Sequence, residues 1–148
     1  MLLRDVREED AEALAQLITE FTHLTTTPTQ MQRRLARSRG IEHPVVAELD
    51  GKVVGFASLR LLHYLGEDAP YAEISELFVL ERYRRQGVGQ ALMAELEARA
   101  RSAGASSLNV LTAADNEAAV KLYRAMGFQA FSIGLQKWLT EDRPYREV

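Results

Sequence analysis

The sequence predicts a mixed α+β domain with one central sheet. Three observations carry that reading. Apolar, β-rich runs at Val45–Leu49, Val53–Leu62 and Ala72–Leu80 alternate with segments of helical periodicity. Asp50-Gly51, between the first two runs, is a strong hairpin signal. The third run is apolar on both faces at Leu77, Phe78 and Val79, as a central strand would be.

The elements follow in order. Leu2 to Val6 is a short first or edge strand. Asp10 to Phe21 places Ala11, Leu14, Leu17, Ile18 and Phe21 at helical spacing, so one face meets a core. Thr27-Pro28-Thr29-Gln30 reads as a capping box with proline at the first helical position, opening a helix from Pro28 to about Ser38 that Gly40 closes. His63 to Pro70 carries turn formers and is a loop. The helix Val88–Ala103 presents Val88, Leu92, Leu96 and Ala100 on one face, with Gly104 just past its end. Ser107–Leu111 is a strand. Asp115 is placed to cap a helix that runs to Met126 and stops at Gly127. Phe128 to Leu139 is expected to supply one or two closing strands, and the charged tail from Glu141 to fray.

Composition bounds the function. The 148 residues, 47% apolar and 26% charged, suit a single domain spanning residues 1–148. No apolar run approaches the roughly 20 residues of a membrane helix, and the N-terminus turns charged too soon for a secretory signal. The expected setting is therefore cytoplasmic, with no membrane partner. With no cysteine, disulfides, thiolate metal sites and a cysteinyl-acyl intermediate are impossible. A net charge of −3 argues against a nucleic-acid partner. His23, His43 and His63 stand singly, without metal-binding spacing, so no metal site is expected.

The chain is organised around Glu81-Arg82-Tyr83-Arg84-Arg85-Gln86-Gly87-Val88-Gly89, where a strand hands over to a helix. The first turn of a helix carries N–H groups without partners and a partial positive charge. Glycines remove the Cβ atoms that would hold an anion off that backbone. Three arginines add cations, so the stretch suits phosphate. It is not a P-loop, since Gly-Lys-Ser/Thr is absent, and it is not a dinucleotide fingerprint, since Leu92 is large and Arg99 to Gly104 holds no acid.

Arg84-Arg85-Gln86-Gly87-Val88-Gly89 resembles the acyl-CoA motif Gln/Arg-x-x-Gly-x-Gly/Ala of the GNAT superfamily of N-acetyltransferases. Asn116-Glu117-Ala118-Ala119-Val120-Lys121-Leu122-Tyr123, followed by Gly127-Phe128, looks like that family's Asn-x-x-Ala-x-x-Leu-Tyr-x-x-x-Gly-Phe block. The two blocks stand in the family's order with a strand pattern between them. The resemblance, from Val45 to Leu139, implies a mixed, mostly antiparallel sheet flanked by helices. Its strands at Phe78 and Leu108 would splay to admit the pantetheine arm of acetyl-CoA, the acyl donor.

The same resemblance distributes roles. Backbone amides from Arg85 through Gln86, Gly87 and Val88 to Gly89 would hold the pyrophosphate, with Arg84 helping from the loop. The backbone of Leu77, Phe78 and Val79 would bond the pantetheine, and Asn116 would reach the cofactor arm unless it is only a helix-start residue. Tyr123 falls where the family's tyrosine hydroxyl lies near the sulfur; its ordinary pKa of about 10 suits a proton donor, whereas plain core packing is its bland alternative.

An amine acceptor is mostly protonated near neutral pH, so a base is needed. Glu73, eleven residues before Arg84, coincides with the strand glutamate that serves as base in the histone-acetylating branch. Glu76 would line the acceptor pocket or bind an ammonium, and its odd spacing from Glu73 predicts the opposite face. Either acid is otherwise a solvated or salt-bridged strand residue. His63 and Tyr64, on the loop before that strand, are candidates to face the acceptor, while Trp138 is most simply core.

The function expected is direct acetyl transfer to a primary amine of a small cationic molecule. Peptide or protein amines form the alternative acceptor class. A non-catalytic acyl-CoA sensor and a nucleotide-binding module are the rivals from other classes. Dimers are common in the family, so a homodimer is possible.

Overall fold

A computed structural model describes residues 1–113 and 115–141. Compactness divides the chain into two units, Met1–Val110 and Leu111–Val148. The first unit contains β1 (Leu2–Asp5), α1 (Ala11–Thr22), α2 (Pro28–Ser38), β2 (Glu42–Leu49), β3 (Lys52–Leu62), β4 (Tyr71–Val79), α3 (Val88–Ser102) and β5 (Leu108–Val110). Its sheet has the order β1-β2-β3-β4-β5 and is antiparallel except where β5 joins β4 in parallel.

Each element has a local cause. Thr27 accepts from the Gln30 amide at 3.2 Å, and the Gln30 side chain accepts from the Thr27 amide at 2.9 Å, so the capping box opens α2 as expected. Asp50 and Gly51 both adopt positive φ, 48° and 75°, the turn whose twist suits a two-residue hairpin between β2 and β3. His23, at φ 58°, closes α1 by donating its amide to Thr19, which gives this histidine a structural job.

The helices cover both faces of the sheet. Ala11, Leu14, Ala15, Leu17 and Ile18 of α1 and Met31 of α2 pack with Val46, Phe56 and Phe78 in one cluster. From α3, Val88, Leu92, Met93, Leu96 and Ala100 are buried. A Cβ on Gly55 would come within 3.0 Å of the Phe78 carbonyl oxygen and 3.4 Å of Leu92 Cδ1, so glycine here lets α3 lie close on the sheet.

Register matters more than composition in β4. Ser58 lies opposite Glu76 and Leu59 opposite Ile74, which leaves Ser75 as an extra residue in a β-bulge. Directly paired residues share a face. Glu73 (opposite Arg60) and Glu76 (opposite Ser58) therefore emerge on one face, against the opposite faces that simple alternation predicts.

The second unit contains α4 (Glu117–Ala125) and, among its described residues, no strand. The closing strands expected over Phe128–Leu139 are thus corrected. The alternating apolar pattern is present, but Phe131, Ile133 and Leu135 are exposed. A strand exists only through a partner's hydrogen bonds, and β-rich composition supplies none by itself. Trp138, expected in a core, is half-buried. Asn116, rather than Asp115, caps α4, accepting from the Ala119 amide at 3.2 Å. Residues 142–148, where fraying was expected, lie outside the described residues.

The start of α1 is tied by Asp10, which is 5% exposed. Its carboxylate accepts two hydrogen bonds from Arg4, at 2.8 and 2.9 Å, and one from the Arg7 amide at 2.7 Å. The Arg4 guanidinium in particular holds the Asp10 carboxyl below its ordinary pKa. A depressed native pKa stabilises above the unfolded value of about 4 and ceases to as pH falls through the native value. Asp10→Asn is therefore expected to cost about 3 kcal/mol in urea unfolding at pH 7. The gap from wild type should close as the medium is acidified, and a pH-independent gap would refute the assignment.

Candidate active site

The site begins at an edge of β4. The parallel ladder with β5 holds three pairs, Ala72 with Leu108, Glu73 with Asn109 and Ile74 with Val110, and then ends. β4 runs on to Val79, still paired to β3 on its other side down to Gly55. Leu77, Phe78 and Val79 thus carry a strand edge without a strand partner among the described residues, the parting expected between the Phe78 and Leu108 strands. Such an edge can add an extended, amide-bearing chain by backbone hydrogen bonds.

Past that edge the chain turns into α3. Arg85, at φ 59°, and Gly87, at φ 83°, are left-handed, a geometry that turns successive N–H groups inward. The backbone amides from Arg85 through Gln86, Gly87, Val88 and Gly89 to Gln90 donate to no acceptor among the described residues, whereas Ala91 donates to the Gly87 carbonyl at 3.0 Å. These donors line a helix mouth with a partial positive charge, which is anion-binding chemistry. A Cβ on Gly87 would meet nothing within 4 Å, so its φ, and not packing, demands glycine.

The arginines are not all free. Arg84 Nε donates to the Val79 carbonyl at 2.8 Å, and its guanidinium carbon lies 5.3 Å from the centre of the Phe78 ring. It staples the turn as well as adding charge. The Gln86 side chain donates to the Arg82 carbonyl at 3.0 Å, closing the loop from the other side.

On the bulged face of β4, Glu73 is salt-bridged. Its Oε1 accepts from Arg60 at 2.5 Å, while its other oxygen has no partner among the described residues. Arg60 therefore anchors one oxygen and leaves the other available for a proton. Glu76, exposed, directly follows the bulge residue Ser75 and lies on the same face as Glu73. Tyr64 stacks on Tyr71, ring centres 4.7 Å apart and planes 17° off parallel. A hydrogen bond with Tyr64 pushes the Tyr71 phenol above its ordinary pKa. Tyr71 pairs with Leu62 and shares the face of Glu73, so Tyr64 reaches that carboxylate's strand, while His63 beside it is exposed on the loop.

In the second unit, Asn116 opens α4 with its side-chain oxygen engaged in the cap. Tyr123 is half-buried, 5.8 Å from the Phe128 ring centre, and burial pushes its phenol above the ordinary pKa. It stays a protonated donor throughout the neutral range.

Comparison with known proteins decides the family. Residues 7–128 match the model of the Acetyltransferase (GNAT) family. The chain belongs to the GNAT acetyltransferase family. It is 31% identical over 131 residues to an aminoglycoside N(6')-acetyltransferase type 1 of Stenotrophomonas maltophilia, covering 86% of this chain and 85% of that one. It is 36% identical over 111 residues to the N-alpha-acetyltransferase RimI of Mycobacterium tuberculosis, covering 74% and 64%. A Trypanosoma brucei acetyltransferase structure superposes with a TM-score of 0.82 at 22% identity, covering 93% of this chain and 99% of that one, which shows the shared fold. As a GNAT protein the chain is an N-acetyltransferase whose acyl donor is acetyl-CoA. Among its described residues no helix is long and apolar enough to cross a membrane.

Several residues of this acetyltransferase escaped sequence reasoning. Arg60 binds Glu73, Glu42 joins Arg60 to Ser58 and Ser75, and Tyr71 shares the face, yet none of the five carries a motif. Their only sequence signal is polarity inside β-rich runs, and it becomes legible once register is known. For the helix mouth, Gly87→Ala is expected to strain the left-handed backbone by about 1–2 kcal/mol. It should weaken acetyl-CoA binding in calorimetry, and unchanged affinity would show that these amides do not hold the cofactor.

Proposed function

We propose that this protein transfers acetyl directly from acetyl-CoA to a primary amine of a small cationic molecule. The observation that carries the reading is the run of unpartnered amides from Arg85 to Gln90 beside the free β4 edge at Leu77–Val79. The first suits a pyrophosphate and the second the pantetheine amides. Arg84 and Arg85 add attraction for the diphosphate, and Asn116 contributes to the cofactor arm through the amide group that its cap leaves over. The proposed unit of function is one acetyltransferase domain over residues 1–148, acting in the cytoplasm and open to pairing as a homodimer.

Direct transfer needs no covalent enzyme intermediate, which suits a chain without cysteine. The amine nitrogen attacks the thioester carbonyl once it has lost a proton. Holding the two within about 3 Å supplies several kcal/mol as proximity. Glu73 takes the ammonium proton on the oxygen that Arg60 leaves free. A backbone N–H near Phe78 or Val79 polarises the carbonyl oxygen. As the tetrahedral intermediate collapses, the C–S bond breaks and Tyr123 protonates the departing thiolate; its raised pKa keeps the phenol proton in place until then. The second proton on the new amide nitrogen leaves to solvent, which re-protonates Tyr123.

Glu76, on the same face as Glu73, adds negative charge for a cationic acceptor, and Tyr64 and His63 form the rim. Resemblance to an aminoglycoside acetyltransferase supports a small polyamine-like acceptor. Similarity to RimI supports the second reading, a peptide N-terminus.

Three measurements test the reading. Acetyl-CoA at about 100 times its dissociation constant should stabilise the protein by roughly 2.7 kcal/mol in thermal unfolding. Tyr123→Phe should lower kcat about a hundredfold while acetyl-CoA binding survives. Thiol release across aminoglycosides, small amines and peptides with free N-termini should select the first two; normal turnover by Tyr123→Phe, or release with peptides alone, would overturn the corresponding assignment.

A further inference from the structure

Glu42, Arg60 and Glu73 stand in one row across three strands, since Glu42 pairs with Arg60 and Arg60 with Glu73. Glu42 Oε2 accepts from Ser58 at 2.5 Å and from Ser75 at 2.6 Å. Its Oε1 lies 3.3 Å from Arg60 Nε, and the far end of Arg60 donates to Glu73. One carboxylate on β2 thus holds the bulge residue of β4, a hydroxyl of β3 and the arginine that anchors Glu73.

The arrangement is costly for a mere strand contact. Two half-buried acids share one guanidinium, with side chains 20% and 19% exposed, which leaves a net charge of −1 on the row. Half-buried ion pairs of this kind stabilise little after desolvation, and an apolar trio would pack the sheet as well. What the network supplies is position. Ser75, the extra residue of the bulge, is held from its side chain by Glu42, and that bulge decides on which face Glu76 emerges. Arg60 Nε is buried and makes no hydrogen bond, so Glu42 and Glu73 together define where the guanidinium sits.

We propose that Glu42 is a positioning residue for acetyl transfer, acting through Arg60 and Ser75 on the Glu73 carboxylate. The claim rests on Glu73 being the proton acceptor. Without the charge of Glu42, Arg60 is free to close on both oxygens of Glu73 in the fork geometry that guanidinium favours. The lone pair that receives the amine proton is then covered, and the bulge loses its tether. Binding of acetyl-CoA, which uses the Leu77–Val79 edge held by its own pairing with Gly55–Ala57 and the amides from Arg85 to Gln90, is untouched.

The test is a double-mutant cycle of Glu42→Gln and Arg60→Met, with Glu73→Gln in parallel, an aminoglycoside acceptor held saturating and acetyl-CoA varied. Glu42→Gln is expected to lower kcat about ten- to a hundredfold, the cost of a misplaced catalytic group, with KM for acetyl-CoA unchanged. In the Arg60→Met background the further loss from Glu42→Gln should shrink to what the Ser75 tether carries, so the two effects fall well short of multiplying. Ser75→Ala, a milder change, should lower kcat several-fold with little change in Tm, and it serves if Glu42→Gln folds poorly. Normal kcat in Glu42→Gln beside a slow Glu73→Gln overturns the positioning role alone, as do effects that multiply fully. Normal kcat in Glu73→Gln overturns the base assignment, and the positioning role falls with it.

Discussion

β4 is hydrogen-bonded along one edge for its whole length and along the other only as far as Ile74. The candidate cofactor strip of the first unit follows from that half-finished pairing. Backbone polar groups require partners, and a central strand that stops pairing midway leaves a row of them for a ligand. The same strand then turns through Arg85 and Gly87, both left-handed, into a helix whose first amides are also without partners among the described residues. A strand edge and a helix mouth follow one another in sequence and offer backbone donors and acceptors, the groups that the proposed function uses.

Packing on either side keeps the strip in place. Leu92 and Leu96 of α3 are fully buried, and Gly55 lets that helix approach the sheet. On the opposite face, Phe78 meets Phe21 with ring centres 4.9 Å apart inside the α1–α2 cluster. Arg84 ties the last carbonyl of β4 to the turn from within the loop. The strand and the turn are therefore held by packing on both faces, which lowers the ordering cost of binding.

The Glu73 cluster is built on different physics. Its groups are half-buried charges whose positions depend on one another: Glu42 on β2, Arg60 on β3, Glu73 and the Ser75 bulge on β4. Charges in this setting attract strongly yet stabilise weakly, because desolvation offsets most of the gain. Such a network suits geometry-setting better than fold-holding. The fold rests instead on the apolar faces of α1 and α3, and on the buried Arg4–Asp10 pair at the entrance to α1.

Sequence alone determined whatever depends on local chemistry. The capping box at Thr27, the Asp50-Gly51 turn, the helices from Ala11, Pro28 and Val88, and the glycines of the turn into the Val88 helix are all short-range statements, decided by φ preference, caps and periodicity. The tertiary structure decided what depends on partners. Alternation placed Glu73 and Glu76 on opposite faces, and a one-residue bulge, visible only as register between β3 and β4, brought them to the same one. The β-like pattern at Phe131, Ile133 and Leu135 formed no strand, because propensity cannot supply a neighbour's hydrogen bonds. Glu42 and Arg60 carried no motif, and they acquire meaning only when three strands, up to thirty-one residues apart in the chain, set Glu42, Arg60 and Glu73 side by side.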